Sequence, residues 1–258
     1  MRIARFAHPA DGRPRWGIID HDTLHEAEGV PWLGGGLERG KAVGDASSAH
    51  LLAPVQPGKI VCVGLNYLKH VTERDPTRVV PTEPVIFWKP NSSIIGPGET
   101  IRIANPGNRT DYEAELAIVI GSGGRDIPER DALSHVFGYT CANDVSDRVL
   151  QKQDGQFVRA KGFHTYCPVG PWIDTDLDPN DLPVRSRLNG DLRQDQRTSS
   201  MLFGPAFLVS FISRIMTLDP GDLILTGTPE NVGELAPGDV IEVEGGGVGV
   251  LRNPVAAA

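Results

Sequence analysis

Several features are scarce in this chain of 258 residues, and each scarcity excludes a class of protein. Aromatic residues make up only 6%, and the three cysteines, Cys62, Cys141 and Cys167, lie in apolar segments without metal-ligand spacing. We therefore interpret the cysteines as reduced core residues. No apolar stretch approaches the roughly 18 residues that a membrane-spanning helix needs, and the N-terminus lacks the apolar core of a secretory signal. These features favour a cytoplasmic enzyme with no membrane partner.

Positive charge is also scarce, since 25 Lys and Arg stand against 33 Asp and Glu and give a net charge of -8. This balance disfavours a sequence-independent nucleic-acid binder, because neutralising phosphates requires a basic surface. A small anionic substrate remains compatible with it, because local Arg, Lys and a metal ion can reverse the field inside one cleft. We therefore expect a small-molecule substrate and no nucleic-acid partner.

Glycine and proline are plentiful, at 30 and 21 residues, which is typical of many short strands joined by tight turns. Residues 1–53 are predicted to form a small N-terminal domain, in which residues 3–6 and 16–19 are paired strands and residues 34–36 are a flexible break. Residues 54–258 are predicted to form the main, catalytic domain.

The main domain is predicted to be mostly β, an α+β arrangement with a few covering helices. Short apolar runs at residues 59–63 and 85–88 predict strands. Asp126, followed three residues later by Glu129, predicts a helix start with a capping box. Apolar residues at helical spacing predict a second helix over residues 206–216.

Two glutamates separated by one residue lie inside the apolar run of residues 111–120. The run predicts a buried strand, in which side chains two residues apart point to one face. Glu113 and Glu115 are then about 7 Å apart, twice the rise per residue of a strand. Two anions this close among apolar residues raise each other's pKa unless a cation lies between them, and Mg²⁺, Mn²⁺ or Ca²⁺ accepts such oxygen ligands. The alternative is an edge strand whose acidic face stays in water.

Asp144 is the third acidic candidate. A strand predicted over residues 138–142 delivers it to a strand end, where loops can assemble a site. The pair Asn143-Asp144 is equally compatible with a turn or a helix cap. Both interpretations remain open from the residues alone.

His70 and Glu73 are three residues apart, so on a helical turn they share a face. A carboxylate that accepts from one imidazole nitrogen leaves the other nitrogen free to take a proton from water. The alternative, which is the more common case, is a surface helix on which a histidine and a glutamate happen to be neighbours.

Two further segments carry candidate polar groups. Lys161 precedes a proline-rich loop at residues 167–172, where it is either a solvated charge or an electrostatic clamp for an enolate or carboxylate. The hydroxyls and amides of residues 226–229 follow an apolar run and suit holding a carboxylate, although an ordinary turn explains them as well.

Taken together and in order, these segments resemble the fumarylacetoacetate hydrolase family, and the likeness covers about residues 58–253. The branch that the chain resembles contains bacterial acylpyruvate hydrolases and 2-hydroxyhepta-2,4-diene-1,7-dioate isomerases. The matching stretches are residues 64–67, 83–90, 112–116, 138–144, 167–172, 216–229 and 237–239.

The resemblance implies a mixed β-sandwich roll with a small N-terminal domain, usually assembled as a homodimer. It implies that Glu113, Glu115 and Asp144 bind Mg²⁺ or Mn²⁺ and that the metal chelates the 2-keto acid end of a substrate. The catalytic residues that it implies are His70 and Glu73, on a mobile lid helix, and Lys161. The substrate-binding residues that it implies are Tyr67, Arg148, Gln151 and Thr228.

The chain departs from the family pattern in two places. Asp147 beside Arg148 is expected to put an extra acid near the pocket, and the lid stretch at residues 72–81 varies between activities in this family.

Three hypotheses follow. The first is a metal-dependent hydrolase that cleaves a carbon–carbon bond in 2,4-dioxo acids such as acylpyruvate or fumarylpyruvate. The second is an isomerase of 2-hydroxyhepta-2,4-diene-1,7-dioate, or a decarboxylase of 5-oxopent-3-ene-1,2,5-tricarboxylate or oxaloacetate, at the same site. The third is a non-catalytic metal-binding scaffold.

Overall fold

The computed structural model describes residues 1–32, 37–73 and 75–258, so the predicted break at residues 34–36 lies outside the described residues. The helices are α1 (Leu68–Thr72), α2 (Arg148–Asp154), α3 (Val158–Lys161) and α4 (Pro205–Ile215), with short 3-10 turns at Ala46–Ser48, Asn91–Ser93, Glu129–His135, Pro179–Asp181 and Thr198–Ser200. The strands are β1 (Arg2–Ala7), β2 (Pro14–Asp20), β3 (Thr23–Glu28), β4 (Glu38–Asp45), β5 (Leu51–Leu52), β6 (Ile60–Gly64), β7 (Val85–Lys89), β8 (Ile94–Ile95), β9 (Ile101–Ile103), β10 (Thr110–Tyr112), β11 (Ala114–Ile120), β12 (Val136–Asn143), β13 (Ser146–Asp147), β14 (Cys167–Asp174), β15 (Pro183–Leu188), β16 (Asp191–Arg197), β17 (Leu223–Leu225), β18 (Gly233–Glu234), β19 (Val240–Gly245) and β20 (Gly249–Ala257).

The strands of the described residues form three sheets. The largest has the order β4-β3-β2-β1-β14-β12-β11-β17-β6-β7, with β5 paired to β1 and β8 paired to β14. A five-stranded sheet has the order β16-β15-β19-β20-β9, and a small sheet has the order β13-β10-β18. Most pairs are antiparallel, whereas β17 with β6, β8 with β14 and β9 with β20 run parallel. The prediction of a mostly β, mixed sandwich roll with a small N-terminal part is therefore confirmed.

Strand β11 lies between β12 and β17 in the largest sheet and is buried on both faces, in keeping with a sequence that is apolar except for Glu115. Leu116 and Ile118 pack on one face, in a core completed by the five-stranded sheet and α4. Ala117 and Val119 pack on the other face, in a core that also contains N-terminal residues. A strand held from both sides provides a rigid base for the polar residues at its start.

The N-terminal strands extend the largest sheet. The predicted pair of strands at residues 3–6 and 16–19 is confirmed, since β1 pairs with β2 along its whole length. Strand β1 also pairs with β14, where Ile3 lies opposite Ile173. The division into domains at residues 53 and 54 stays a prediction.

The helix predictions have mixed outcomes. The helix predicted over residues 206–216 is confirmed as α4, whereas the capping box at Asp126 is wrong. Asp126 has a φ of 52°, and Pro128 precedes a 3-10 turn that ends where β12 begins. An N-cap residue has an extended backbone, so the positive φ of Asp126 prevents the predicted capping box from forming. Among the described residues, no helix combines the length and the apolar character needed to cross a membrane.

Candidate active site

Three buried carboxylates from separate segments meet at one place. The predicted single strand over residues 111–120 is wrong in one respect, because Glu113 sits at a break between β10 and β11. Glu115 lies in β11, and Asp144 follows the last residue of β12. One oxygen from each carboxylate lies within 4.8 Å of the other two. The 7 Å expectation describes the spacing of two residues along a strand, whereas the carboxylate oxygens at the ends of the side chains converge to within 4.8 Å.

Hydrogen bonds donated by main-chain amides hold two of these acids in place. The amide of Glu113 donates to Asn143 Oδ1 at 2.9 Å, and the amide of Asp144 donates to the Glu113 carbonyl at 2.9 Å. Asn143-Asp144 is therefore more than a simple turn, because both residues form hydrogen bonds with the main chain of Glu113 at the break between β10 and β11.

Two buried lysines contact the acidic cluster. Lys161 Nζ, at the end of α3, donates to Glu113 at 2.8 Å, to Asp144 Oδ2 at 2.6 Å and to Ser146 Oγ at 2.7 Å. Lys89 Nζ donates to Asp144 Oδ1 at 2.6 Å. Lys161 is therefore not the solvated charge of the alternative interpretation, and its three ammonium protons are all engaged.

Arg148, at the start of α2, is held by two acids. Its Nε donates to Asp111 at 2.8 Å, one terminal nitrogen lies 2.6 Å from Glu113, and the other donates to Gln151 Oε1 at 2.9 Å. The expectation that Asp147 lies near the pocket is wrong. Asp147 is buried, caps α2 by accepting from two of its backbone amides, and accepts from two asparagine side chains.

The charges around the cluster are unevenly distributed. Burial alone would raise the pKa of Glu113, but Lys161, Arg148 and His70 hold the pKa well below its ordinary value. Burial raises the pKa of Glu115 well above its ordinary value, and the charges of Asp144 and Glu113 add to the effect. Glu115 accepts a hydrogen bond of 2.6 Å from the Gly227 amide.

Glu115 is therefore the acid that most needs a further cation. In the part of the chain that the structure describes, no cationic side chain forms an ion pair with it, although Lys161 lies near enough to oppose its pKa rise. A divalent ion among the three carboxylates would neutralise it, and hard oxygen ligands are those that Mg²⁺ and Mn²⁺ accept. The donor set thus fits the metal that the sequence predicts, without distinguishing between these two ions.

His70 and Glu73 border the same cavity of about 400 Å³ as the three acids. His70 Nδ1, in α1, lies 3.5 Å from Glu73 Oε2, and Glu73 Oε1 accepts from the Asn231 amide at 2.9 Å. Burial lowers the pKa of His70 below its ordinary value, partly opposed by the charge of Glu113. The predicted helical neighbourhood of His70 and Glu73 is present, and the pair faces a cavity rather than open solvent.

The predicted substrate-binding residues occupy different positions. Arg148, Gln151 and Thr228 line the cavity. Thr228 Oγ1 accepts from Gln194 Nε2 at 2.9 Å, which leaves its hydroxyl proton available to a ligand. Tyr67 is 1% exposed and is absent from the cavity wall, so its predicted role lacks a contact with the cavity.

Sequence reasoning missed two residues that organise the site. Lys89 lies two residues after Phe87 in β7, and both side chains are buried. A lysine on the apolar face of a strand was the available signal. Asn66 donates to the Thr226 and Phe203 carbonyls and accepts from the Phe203 amide, which joins the loop after β6 to the loop after β17. No local pattern marks such a junction.

Comparison with known proteins places two family models on the chain. Residues 59–256 match the model described as fumarylacetoacetate (FAA) hydrolase C-terminal. Residues 1–54 match the model described as Rv2993c-like, N-terminal.

Individual relatives cover most or all of the chain. It is 43% identical over 232 residues to the mitochondrial oxaloacetate tautomerase fahd2 of Xenopus laevis, covering 85% of this chain and 72% of the relative. It is 39% identical over 277 residues to the 2,4-didehydro-3-deoxy-L-rhamnonate hydrolase of Sphingomonas sp. (strain SKA58), covering 99% and 96%. The crystal structure of a 5-carboxymethyl-2-hydroxymuconate delta-isomerase from Mycobacterium smegmatis is 42% identical and superposes with a TM-score of 0.91 over 100% of both chains.

Proposed function

The chain belongs to the fumarylacetoacetate hydrolase family, and from this membership we propose that it is a divalent-metal-dependent hydrolase of 2,4-dioxo acids. The proposed reaction cleaves a carbon–carbon bond in a substrate such as an acylpyruvate or fumarylpyruvate. One observation carries the proposal. The His70 and Glu73 pair lines the same cavity as the three buried carboxylates, so a base and a metal-binding group face one substrate volume.

In this proposal the inner end of the cavity holds the 2-oxo acid end of the substrate. Glu113, Glu115 and Asp144 would hold Mg²⁺ or Mn²⁺, which supplies Lewis-acid polarisation of the 2-oxo group. The Thr228 hydroxyl is placed to donate to the neighbouring carboxylate. Arg148 fixes Glu113 through a contact of 2.6 Å, which keeps that carboxylate oriented.

His70 acts as the general base. Because its pKa is lowered, the imidazole is neutral at pH 7 and can take a proton from water. The water oxygen bonds to the distal C4 carbonyl carbon, and the C3–C4 bond then breaks with its electron pair moving to C3. Protonation of the pyruvate enolate at C3 returns the proton and yields pyruvate and a carboxylic acid.

Glu73 and Lys161 support these steps without contacting the attacking water. Glu73 lies near His70 Nδ1, which leaves Nε2 as the nitrogen that receives the proton. Lys161 has its three protons engaged by Glu113, Asp144 and Ser146, so it stabilises the enolate through its charge.

A second candidate is keto–enol isomerisation or decarboxylation of a 2-oxo diacid. Two of the relatives favour it, since one is named an oxaloacetate tautomerase and another a delta-isomerase. In isomerisation the same His70 would move a proton between C3 and the 2-oxo oxygen. In decarboxylation the bond between C3 and its carboxylate carbon would break, CO2 would leave, and the resulting enolate would be protonated at C3. Neither reaction consumes water, whereas hydrolysis alone does so and yields a second carboxylic acid.

The test is an assay of the purified protein with acetylpyruvate, with oxaloacetate, and with each after treatment with a chelator. Hydrolysis predicts equal amounts of pyruvate and acetate that appear only with Mg²⁺ or Mn²⁺. Turnover that persists after metal removal would contradict the proposal. Conversion of oxaloacetate enol without fragmentation, or metal-dependent release of CO2 from oxaloacetate, would favour the second candidate. The absence of any turnover would favour a non-catalytic scaffold.

A further inference from the structure

A buried glutamine outside the cavity connects two parts of the candidate site. Gln194 lies in β16, the edge strand of the five-stranded sheet, and within Asp191–Arg197 it is the one buried residue, at 0% exposure. Its side chain does not border the cavity. Burying an amide costs free energy unless its hydrogen bonds are made, so the partners of this side chain show what it contributes.

The orientation of the Gln194 amide is fixed by its main-chain partners. Nε2 donates to the carbonyls of Pro229 and Glu230 at 2.9 and 3.2 Å, and carbonyl oxygens only accept. Oε1 accepts from the Ala114 amide at 3.1 Å, and a main-chain N–H only donates. Rotating the side-chain amide by half a turn would bring like groups together at all three contacts, so only one orientation satisfies them.

This orientation sets the direction of the Thr228 hydroxyl. Gln194 Nε2 also lies 2.9 Å from Thr228 Oγ1, and because Nε2 can only donate, Oγ1 must accept from it. The hydroxyl proton of Thr228 therefore points away from Gln194. Among the described residues Oγ1 has no other hydrogen-bond partner, and Thr228 lines the cavity, so its proton is left for a ligand there.

The loop that carries Thr228 is tied to β11 on both sides of this residue. Before Thr228, the Gly227 amide donates to Glu115 Oε2 at 2.6 Å. After Thr228, the carbonyls are joined through the Gln194 amide to Ala114, the first residue of β11. The hydroxyl is thus fixed in place as well as in direction relative to the acidic cluster. A donor that is already ordered loses less freedom when it binds a ligand.

We propose that Gln194 is a positioning residue that directs the Thr228 hydroxyl proton toward the carboxylate of a bound 2-oxo acid. A carboxylate only accepts hydrogen bonds, so Thr228 can contact it only with the proton facing the cavity. Gln194 acts through Thr228 and does not touch the ligand. This inference rests on the proposed function, because that function supplies the carboxylate that receives the proton.

The test measures the binding of oxalate, an unreactive analogue of the 2-oxo acid end, to the Mn²⁺-loaded protein by calorimetry. Thr228→Val removes the hydroxyl at nearly constant size and should weaken oxalate about tenfold, the usual loss for a hydrogen bond to a charged group. Gln194→Met removes the amide at nearly constant length and should lose most of that factor. In the Thr228→Val background, Gln194→Met should cause no further loss, because both changes remove the same contact.

A matched control comes from the same strand. Gln196 lies two residues further along β16, and its Nε2 contacts the Glu230 side chain at 3.3 Å rather than Thr228. Gln196→Met should therefore leave the affinity for oxalate unchanged. If Gln194→Met does not fold, Gln194→Glu takes its place. Its carboxyl has at most one proton for the three acceptors that Nε2 now serves, so oxalate binding should again weaken.

The outcomes separate this role from the proposed function. Losses that add in the double variant, unchanged oxalate affinity in a folded Gln194 variant, or an equal loss in Gln196→Met would overturn the positioning role alone. Failure of oxalate to bind the Mn²⁺-loaded parent protein would overturn the proposed function together with the inference that rests on it.

Discussion

Lys89 and Asp144 form a buried ion pair in which the lysine ammonium donates to one carboxylate oxygen at 2.6 Å while Lys161 takes the other oxygen at 2.6 Å. The Lys89 side chain is fully inaccessible and is absent from the cavity wall. Asp144 is thus held from two sides, by one lysine that borders the cavity and another that lies behind it. This arrangement fixes a predicted metal ligand without consuming space in the cavity.

Replacing Lys89 by Met should destabilise the protein, because Asp144 would lose one of its two buried cationic partners. We expect the free energy of unfolding to fall by about 2–3 kcal/mol, somewhat less than the usual cost of breaking a buried pair, because Lys161 remains. Urea unfolding in the presence of a chelator measures the change. The exposed Lys41→Met serves as the control and should change stability by less than about 0.5 kcal/mol. An unchanged midpoint in the Lys89 variant would show that the pair contributes little.

Replacing His70 by Ala should abolish most of the turnover and leave the fold and the metal site intact. The loss of a general base typically costs about a thousandfold in rate. Two measurements separate a loss of turnover from a loss of metal binding. Steady-state kinetics with the substrate of the parent protein measures the first, and calorimetry with Mn²⁺ measures the second. If metal affinity fell along with turnover, His70 would instead be part of the metal site.

The pH dependence of turnover should reflect the lowered pKa of His70. Burial lowers this pKa, with Arg148 and Lys161 adding to the effect and Glu113 and Glu73 opposing it. Since the neutral imidazole is the base, kcat/KM should be constant near pH 7 and should decline only as pH falls below the ordinary histidine value of about 6.5.

Glu73→Gln supplies the matched variant for this pH profile. It removes one of the anions that raise the His70 pKa, so the acid limb should move to still lower pH. A limb that moved upward, or that stayed in place in a variant with normal metal binding, would contradict the assignment of the limb to His70.

Glu115→Gln should act in opposite directions on the metal-free and metal-loaded protein. Without metal, the pKa of Glu115 is raised in the folded state, so ionising this carboxyl lowers the free energy of unfolding. The stability is present at low pH and is lost as pH rises through the raised pKa. The neutral glutamine should therefore raise the free energy of unfolding in chelator near pH 7, because it removes a buried group whose ionised form the folded state disfavours.

Metal affinity in the same variant should fall at least about tenfold, because a carboxylate ligand is lost. Thermal unfolding with and without Mn²⁺ tests both halves of the prediction, and Glu129→Gln on the surface is the control. Equal stabilisation of the Glu115 variant and the parent protein by Mn²⁺ would place the ion elsewhere.

Local sequence patterns were sufficient for much of the backbone. The apolar run around Glu115 is buried on both faces, and apolar spacing located α4 within one residue at each end. These features depend on the periodicity of a few neighbouring residues, which is written directly in the chain. The order of the motifs was also enough to indicate the family, because this order can be determined from the sequence without knowing any distance in the structure.

Tertiary structure alone decided which charges meet. Asp111 and Arg148 are 37 residues apart, and Lys89 and Asp144 are 55 apart, so their pairing follows from the placement of β7, β10 and α2. The same is true of Asp147, which sequence adjacency placed near the pocket and which the fold uses to cap α2. Ion pairs act over a few ångströms of space, whereas sequence spacing reports distance only along one element, so the electrostatics of the site emerged only once the sheets were assembled.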